Sequence, residues 1–258
     1  SGKHLIVKKR KEFDIEHKFP LSIFEEPVES YIQSKTYYFG TDKFGRDLLS
    51  RILIGTRISF SIGFIAVLIS LIIGTSIGAI AGYYGGKIDA LCMWLINVTW
   101  SIPTLLLVIA ITLALGKGVW QVFISVGLTM WVEVARVVRG QVLSVKTNQY
   151  VEAAKALGFS DFRIVFKHIL PNIAAPIIVI SAANFAASIL IESGLSFLGI
   201  GAQPPIPSWG GIVKDHYSYL LLGKPYLAVL PGMAISTLVM AFVFTGNALR
   251  DALDVKDL

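Results

Sequence analysis

Long apolar stretches alternate with short polar ones along most of the chain. A helix that crosses a ~30 Å hydrocarbon core needs about 20 mostly apolar residues. Five stretches meet that requirement, at 58–82, 90–115, 118–136, 172–199 and 225–246. They are too long and too uniformly apolar for the strands of a soluble core. The pattern therefore predicts an all-α polytopic membrane protein with five spans.

The composition supports a membrane protein. Hydrophobic residues make up 54% of the 258 residues and charged residues only 16%, whereas a soluble domain has roughly 25% charged residues. The mean hydropathy is +0.68. A soluble protein with five buried helices would need polar amphipathic helices to cover them, and beyond residue 57 the sequence offers none.

Small residues and one proline predict how the spans are shaped. Gly74, Gly78 and Gly82 repeat at every fourth position in the first span. This spacing lets helix backbones approach closely in lipid, although membrane helices are also generally rich in glycine. Pro103 lies inside the second span, where it removes a backbone hydrogen bond and is expected to kink the helix.

Lysine and arginine counts orient the spans, because cytoplasmic loops carry an excess of these residues. Beyond residue 57, nine belong to one side, formed by the loops 83–89 and 137–171 and the C-terminus, and three belong to the opposite loops at 116–117 and 200–224. The nine are Lys87, Arg136, Arg139, Lys146, Lys155, Arg163, Lys167, Arg250 and Lys256, and the three are Lys117, Lys214 and Lys224. The loop 137–171 and the C-terminus are therefore predicted to be cytoplasmic.

With five spans, residues 1–57 are predicted to form an extracytoplasmic N-terminal segment before a membrane domain at 58–258. This segment holds 11 of the 23 basic residues, including the run at 8–11. Long polar segments translocate largely regardless of charge. A lipid or nucleic-acid patch at this run is the weaker interpretation, because no recognition pattern follows it. The chain begins Ser-Gly-Lys, and we expect a further transmembrane helix to precede it. Residues 1–37 receive no role.

A polar, basic segment between the third and fourth spans predicts two short helices. It reads EAAKALGFSDFRIVFKHILP. Helix-forming residues fill 152–157, and Gly158 is placed to end that helix as a C-cap glycine. Ser160 or Asp161 can cap a second helix, and Pro171 marks the entry to the next span.

The second helix is predicted to have one apolar face, formed by Phe162, Val165, Phe166 and Ile169. With Phe159 and Phe162 presented away from the membrane, the segment would suit a helix-in-groove contact with a soluble partner. The alternative is an interfacial helix that lies on the bilayer with its basic residues at the headgroups. The periodicity does not decide between the two.

Four ordered blocks carry a family resemblance from about residue 38 to the end. The first is FGTDKFGRD at 39–47 with SR and GTR at 50–57, and the second is the EAA segment with its Gly158 and Leu170-Pro171. The third is LSFLGIG at 195–201 with QPP and SWG, and the fourth is GNALRDALD at 246–254. Together they resemble the permease subunits of ABC importers for dipeptides, oligopeptides or nickel, and the EAA segment resembles their cytoplasmic coupling loop.

The resemblance implies a helix bundle of the ABC-importer permease type in the bacterial inner membrane. It implies as partners a second permease, two ATP-binding subunits that hold ATP and Mg²⁺, and an extracytoplasmic substrate-binding protein docked on loops such as 200–224. The ATPase-coupling residues carried over by the resemblance are Glu152, Ala153, Ala154, Gly158, Phe159, Phe162, Leu170 and Pro171. The implied function is ATP-driven peptide import. A nickel or other small-solute importer is the alternative.

The departures from the family pattern are few. His168 stands where the general EAA pattern favours isoleucine, and Asn247 and Val255 replace the usual acid and proline near the C-terminus. These last two changes leave the details of the C-terminal contact open.

Two acidic residues lie inside predicted spans, where ionisable groups are functional candidates. Glu192 could face the translocation pathway or could form a structural hydrogen bond to a neighbouring helix, and we weigh these equally. Glu133 precedes Arg136 by three residues, which favours an ion pair between them.

Other classes of function find less support. The chain lacks a Gly-rich phosphate loop ending in Gly-Lys-Ser/Thr, the lone Cys92 fits a core position, and the four histidines have no metal-ligand spacing. We therefore expect no catalytic residue, no metal site and no cofactor in this chain, and no nucleic-acid partner. A secondary transporter would show inverted repeats, which the sequence does not.

Overall fold

A computed structural model of the protein describes residues 4–8, 16–20, 23, 27, 35–116 and 118–253. The chain divides into two compact units, Ser1–Gly40 and Thr41–Leu258. In the first unit, β1 (His4–Lys8) and β2 (Glu16–Pro20) pair antiparallel, with His4 opposite Pro20 and Lys8 opposite Glu16. The basic run at 8–11 lies outside the described residues except for the backbone of Lys8.

The second unit is a helix bundle, as predicted. Its helices, numbered here in chain order, are α1 (Leu48–Tyr84), α2 (Gly86–Trp100), α3 (Thr104–Leu115), α4 (Val119–Val145), α5 (Gln149–Ala156), α6 (Asp161–Leu198), α7 (Trp209–His216) and α8 (Tyr226–Leu253). Four of these, α1, α4, α6 and α8, are long and apolar enough to cross a membrane, and the α2–α3 pair could add a fifth span.

The first helix begins at Leu48, well before the predicted span at 58–82. Asp47 caps it, because its carboxylate accepts a hydrogen bond from the Ser50 backbone N–H at 3.3 Å. Arg51 lies in the first turn of this helix, and its Nε lies 3.5 Å from the Asp42 carboxylate, so its charge is paired.

The proline in the second predicted span breaks the helix instead of merely kinking it. Helix α2 ends at Trp100, α3 begins at Thr104 after Pro103, and their axes differ by 88°. Because Pro103 has no N–H to donate to the preceding turn, the chain leaves helical geometry there and starts a new helix.

The glycine repeat packs α1 directly against α4, which confirms the prediction of close packing. A Cβ added at Gly74 would lie 2.6 Å from the Trp131 carbonyl oxygen, and one added at Gly78 would lie 2.5 Å from the Ala135 carbonyl oxygen. A Cβ added at Gly82 would lie 2.8 Å from the Val142 Cβ. Any side chain larger than hydrogen would therefore force these two helices apart.

Candidate functional site

Helix α5 holds the Glu-Ala-Ala sequence at one end of the bundle. Glu152 lies in its first turn and Lys155 in its last turn, where each charge opposes the helix dipole. Val151 and Ala154 are buried against α1 and α4, whereas Glu152 and Ala153 are exposed. The helix therefore packs on the bundle with one side and offers the other to solvent.

Gly158 ends α5 as predicted. Its φ is +74°, in the left-handed region that favours glycine. The Gly158 N–H donates to the Lys155 carbonyl at 2.9 Å, and the Phe159 N–H donates to the Ala154 carbonyl at 3.1 Å. These two bonds form a Schellman motif, which satisfies the last carbonyls of the helix and turns the chain toward α6.

The second predicted helix begins as expected but does not stop before the next span. Ser160 caps it by accepting a hydrogen bond from the Arg163 N–H at 3.4 Å. The helix then runs through a π-helical segment (Ile164–Ile169) and a 3₁₀ turn (Leu170–Ile173) into the long span. Pro171 cannot donate an α-helical hydrogen bond, and the altered turns before it accommodate that loss. Pro171 thus lies within α6, not at a boundary.

The predicted single apolar face on this helix is wrong. Val165 and Ile169 are buried together with Ile164 and Ile173. Phe162 and Phe166 point the other way, 71% and 53% exposed, with their ring centroids 4.3 Å apart. A π-helical turn takes more residues than an α-helical turn, so the α-helical period misses Ile164.

Contrary to the prediction, Phe159 does not project into solvent. Its ring stacks on His168 with centroids 5.7 Å apart, and the Arg163 guanidinium lies 4.1 Å from the ring centroid. Leu157, which the sequence did not single out, is 72% exposed. The sequence signal that could have indicated the exposure of Leu157 is its position directly before the C-cap Gly158. The exposed apolar side chains of the segment are therefore Leu157, Phe162 and Phe166, called the coupling surface below. Phe162 and Phe166 also line a cavity of about 410 Å³ with Tyr84 of α1 and Ile88 of α2.

Polar contacts attach this segment to the neighbouring helices. The Tyr83 hydroxyl at the end of α1 donates to Asp161 Oδ1 at 2.7 Å, and Lys155 Nζ lies 5.2 Å from the Tyr83 ring centroid. Lys146 Nζ donates to the Gly82 carbonyl at 2.9 Å. The segment is therefore tied to the α1 terminus as well as packed against it.

The expected ion pair between Glu133 and Arg136 does not form. Arg136 Nη2 donates instead to Asn97 Oδ1 at 2.7 Å, and its guanidinium stacks on the Trp100 ring. One turn later, Arg139 forms two hydrogen bonds to Asp89, at 2.5 and 2.6 Å. These contacts hold α2 to α4. Arg136 thus bonds to a residue distant in the sequence and not to Glu133, three positions before it.

At the other end of the bundle the structure brings the first and third sequence blocks together. The Trp209 indole N–H donates to the Ile52 carbonyl at 2.8 Å, and a Cβ at Gly55 would lie 2.8 Å from the Trp209 ring. The Lys43 N–H donates to His216 Nε2 at 3.4 Å. The two blocks therefore form one structural unit. The segment 152–171, called the coupling segment below, lies at the opposite end of the bundle.

Asp42 organises the turn of the first block. Its buried carboxylate accepts hydrogen bonds from the N–H groups of Phe44 and Arg46 at 2.8 and 2.9 Å, and from Arg46 Nε at 2.7 Å. Burial acts to raise the pKa of this carboxyl, but the hydrogen bonds from Arg46 and Phe44 and the Arg46 charge hold it below its ordinary value. Gly45, with φ +75°, closes the turn.

We expect Asp42→Asn to destabilise the protein by roughly 1–3 kcal/mol at neutral pH, because the neutral amide cannot form the charge-assisted hydrogen bonds that the Asp42 carboxylate accepts from Phe44 and Arg46. Since the pKa of Asp42 is lowered by folding, its contribution is complete above the unfolded value of about 4. It is lost as the pH falls through the lower folded pKa. Thermal denaturation of the purified protein in detergent, from pH 7 downward, should show the difference between the two proteins shrinking below about pH 4. A constant difference would contradict this assignment.

Glu192 lies late in α6 with no exposed surface. Ser196 Oγ donates to its Oε1 at 2.6 Å, and the hydroxyls of Ser59, Ser193 and Ser208 surround the same carboxyl. The carboxyl therefore lies between α6, α1 and the loop before α7, with its one geometric hydrogen bond among the described residues formed inside α6, and it does not line an open surface in this structure. A role in the pathway stays a prediction.

The fourth sequence block ends near the coupling segment. Arg250 and Leu253 of α8 line a cavity of about 470 Å³ with Gln141 of α4 and Ala175 of α6. The end of α8 thus lies at the same end of the bundle as the start of α6. Residues 254–258, including Val255, lie outside the described part of the chain.

Comparisons with known proteins agree with these blocks. Residues 74–256 match the family described as "Binding-protein-dependent transport system inner membrane component". The glutathione transport system permease protein GsiD of Pectobacterium atrosepticum is 41% identical over 86% of this chain and 74% of its own length. The dipeptide transport system permease protein DppC of Alkalihalophilus pseudofirmus is 42% identical over 86% and 73%. The oligopeptide transport system permease protein OppC of Haemophilus influenzae is 42% identical over 86% and 71%.

Solved structures share the fold at lower sequence identity. A structure of the inward-facing MetNI methionine ABC transporter aligns with a TM-score of 0.64 at 20% identity, covering 82% of this chain and 99% of the aligned one. A second crystal form of the same transporter gives a TM-score of 0.65 at 18% identity, over 79% and 96%. The helix bundle is therefore of the ABC-importer permease type.

Proposed function

We propose peptide import as the function of this chain, which belongs to the family of binding-protein-dependent transport system inner membrane components and is a permease subunit of an ABC importer. Its relatives at about 41% identity are named for glutathione, dipeptide and oligopeptide transport. The substrate class that these names share is a short peptide. With a second permease, the chain would form the pathway for such peptides across the bacterial inner membrane.

The observation that carries the mechanism is the geometry of the coupling surface. Leu157 and Phe162 are more than two-thirds exposed on either side of the Gly158 turn, while the other faces of α5 and α6 are buried against the bundle. A rigid helical hairpin with an outward apolar patch fits a cleft on a soluble partner better than a solvated loop would. We assign that partner as one of two ATP-binding subunits, which would hold ATP and Mg²⁺.

The orientation of the chain follows from charge. The coupling segment and the end of α8 share one end of the bundle, and nine of the twelve basic residues beyond residue 57 belong to that side. By the positive-inside rule this end, with the C-terminus, is cytoplasmic. The unit formed by the first and third blocks then faces outward, where a substrate-binding protein would deliver the peptide.

Glu152→Lys tests the coupling assignment. Glu152 is exposed in the first turn of α5, so the substitution should leave the fold and membrane insertion intact. It places a positive charge at the positive end of the helix dipole and on the docking side. We expect roughly tenfold less ATPase subunit to co-purify with the permease, which corresponds to about 1.4 kcal/mol, and uptake to fall in parallel.

The matched control is Asp251→Lys, an exposed acid at the same end of the bundle but outside the coupling segment. It makes the same charge change and should retain co-purification. Normal uptake and normal ATPase binding by Glu152→Lys would overturn the assignment. Equal losses in both variants would indicate a general effect of charge at this end, which also contradicts it.

The substrate is tested through the partner that selects it. The cognate binding protein should bind dipeptides, oligopeptides or glutathione in a calorimetric titration and should deliver them to the reconstituted importer. Binding of nickel complexes with no binding of any peptide would overturn the peptide assignment and favour the nickel importer.

A further inference from the structure

Tyr83 connects the end of α1 to both helices of the coupling segment. Its hydroxyl donates to Asp161 Oδ1 in the first turn of α6 at 2.7 Å, and its ring faces Lys155 Nζ of α5 at 5.2 Å from the centroid. The Tyr83 side chain is nearly buried, at 9% exposure, within the cluster that also holds Val151, Ala154 and Ile164. It therefore contacts α6 through its hydroxyl and α5 through its ring.

The α1 terminus that carries Tyr83 is itself fixed. Gly78 and Gly82 pack on the α4 backbone without room for a Cβ, and Lys146 Nζ donates to the Gly82 carbonyl. Close-packed helices move as a unit because such interfaces do not deform continuously. A displacement of Tyr83 is therefore a displacement of the α1–α4 pair.

Apolar contacts alone would position the segment less strictly. Ile164 and Ile169 pack into the bundle, but hydrophobic burial is non-directional and tolerates rotation of α6 about its own axis. A hydrogen bond to a carboxylate has narrow distance and angle limits. The Tyr83–Asp161 bond therefore sets the rotation of α6 relative to α1.

We propose that Tyr83 is a positioning residue for ATP-driven transport, which passes the movement of the coupling segment into the α1–α4 pair through its bond to Asp161. This inference rests on the proposed function. It separates two tasks at one site, since the coupling surface binds the ATPase while Tyr83 couples that bound ATPase to the pathway.

Tyr83→Phe isolates the second task. Asp161 is exposed, so loss of the Tyr83 hydroxyl leaves its carboxylate to water, and no buried polar group is stranded. Protein yield and ATPase co-purification should match those of the wild type. Substitutions along a coupling element change coupling modestly, so we expect peptide uptake per ATP hydrolysed to fall roughly threefold to tenfold in proteoliposomes that contain the whole importer.

Tyr84→Phe is the matched control. Tyr84 is the next residue, is 53% exposed and lies in ring contact with Tyr83, but no hydrogen bond from its hydroxyl to Asp161 occurs in the described part of the chain. This variant should keep the wild-type ratio. Asp161→Ala should lower the ratio as Tyr83→Phe does, and the double variant should be no worse than the poorer single one, because both remove the same bond.

Two results would overturn the proposal, namely an unchanged ratio in Tyr83→Phe, or losses in Tyr83→Phe and Asp161→Ala that multiply in the double variant. Failure of the proposed function looks different. In that case the wild-type importer itself would show no ATP-dependent peptide uptake, and both proposals would fall together.

Discussion

We expect Gly158→Pro to abolish most uptake while the chain still inserts into the membrane. The backbone at Gly158 has φ +74°, whereas proline is fixed near −65°. Its N–H donates to the Lys155 carbonyl, and proline has no N–H to replace that bond. An incompatible proline costs about 3 kcal/mol or more, so the Schellman turn is lost and α5 and α6 no longer present one surface. We expect uptake and ATPase co-purification both to fall by more than roughly tenfold.

Gly158→Asn is the control for this prediction. A Cβ at Gly158 would meet no atom within 4 Å, so an ordinary side chain has room there, and the proline variant differs by its fixed φ, its missing N–H and its ring on the backbone nitrogen. Asparagine adopts the left-handed region more readily than other side chains and keeps the N–H. It should retain most uptake. If both variants transport normally, the turn is not required for coupling.

We expect Gly78→Val to prevent stable assembly of the bundle. The Cβ of valine would fall 2.5 Å from the Ala135 carbonyl oxygen, and that neighbour is helix backbone, which cannot rotate away. Overpacking penalties reach about 3 kcal/mol, a large part of the stability of a typical domain. We expect a much lower yield of monodisperse protein in detergent and a thermal midpoint lower by several degrees, measured by fluorescence-detected size exclusion after heating.

Gly140→Ala provides the comparison within the same helix pair. Gly140 lies in α4, and an added Cβ would meet nothing within 4 Å. Alanine is favoured over glycine in a helix by up to about 1 kcal/mol, so this variant should be as stable as the wild type or slightly more stable. Gly78→Ala is the matched substitution, because it adds the same Cβ against the Ala135 carbonyl oxygen. Equal losses of yield and thermal midpoint in Gly78→Ala and Gly140→Ala would contradict the close packing of α1 and α4.

Local rules predicted the features that depend on neighbouring residues. The Gly158 cap and the Ser160 cap each follow from backbone chemistry within one turn, and the structure confirms both. Pro103 was predicted to disturb its helix, but the structure shows a full break where a kink was expected. The glycine repeat on α1 was also readable, because a small residue at every fourth position defines one helix face.

The features that were missed depend on distant partners. Arg136 pairs with Asn97, 39 positions away, instead of with Glu133. Ile164 is buried because a π-helical segment changes the helical period, which the sequence alone does not reveal. The outward position of Leu157 likewise depends on how α5 docks against the bundle, not on its own pattern.

Helix α6 continues through Pro171 and therefore connects the two ends of the bundle as one long rod. Its 38 residues, at 1.5 Å each, span about 57 Å, more than the whole thickness of a bilayer. One end carries Asp161 at the coupling surface, and the other carries Glu192 and Ser196 beside the loop that leads to Trp209. If such a rod tilts about its contacts with α1 and α4, its two ends move in opposite directions, so we expect closure at the coupling end to accompany opening at the end that holds Glu192.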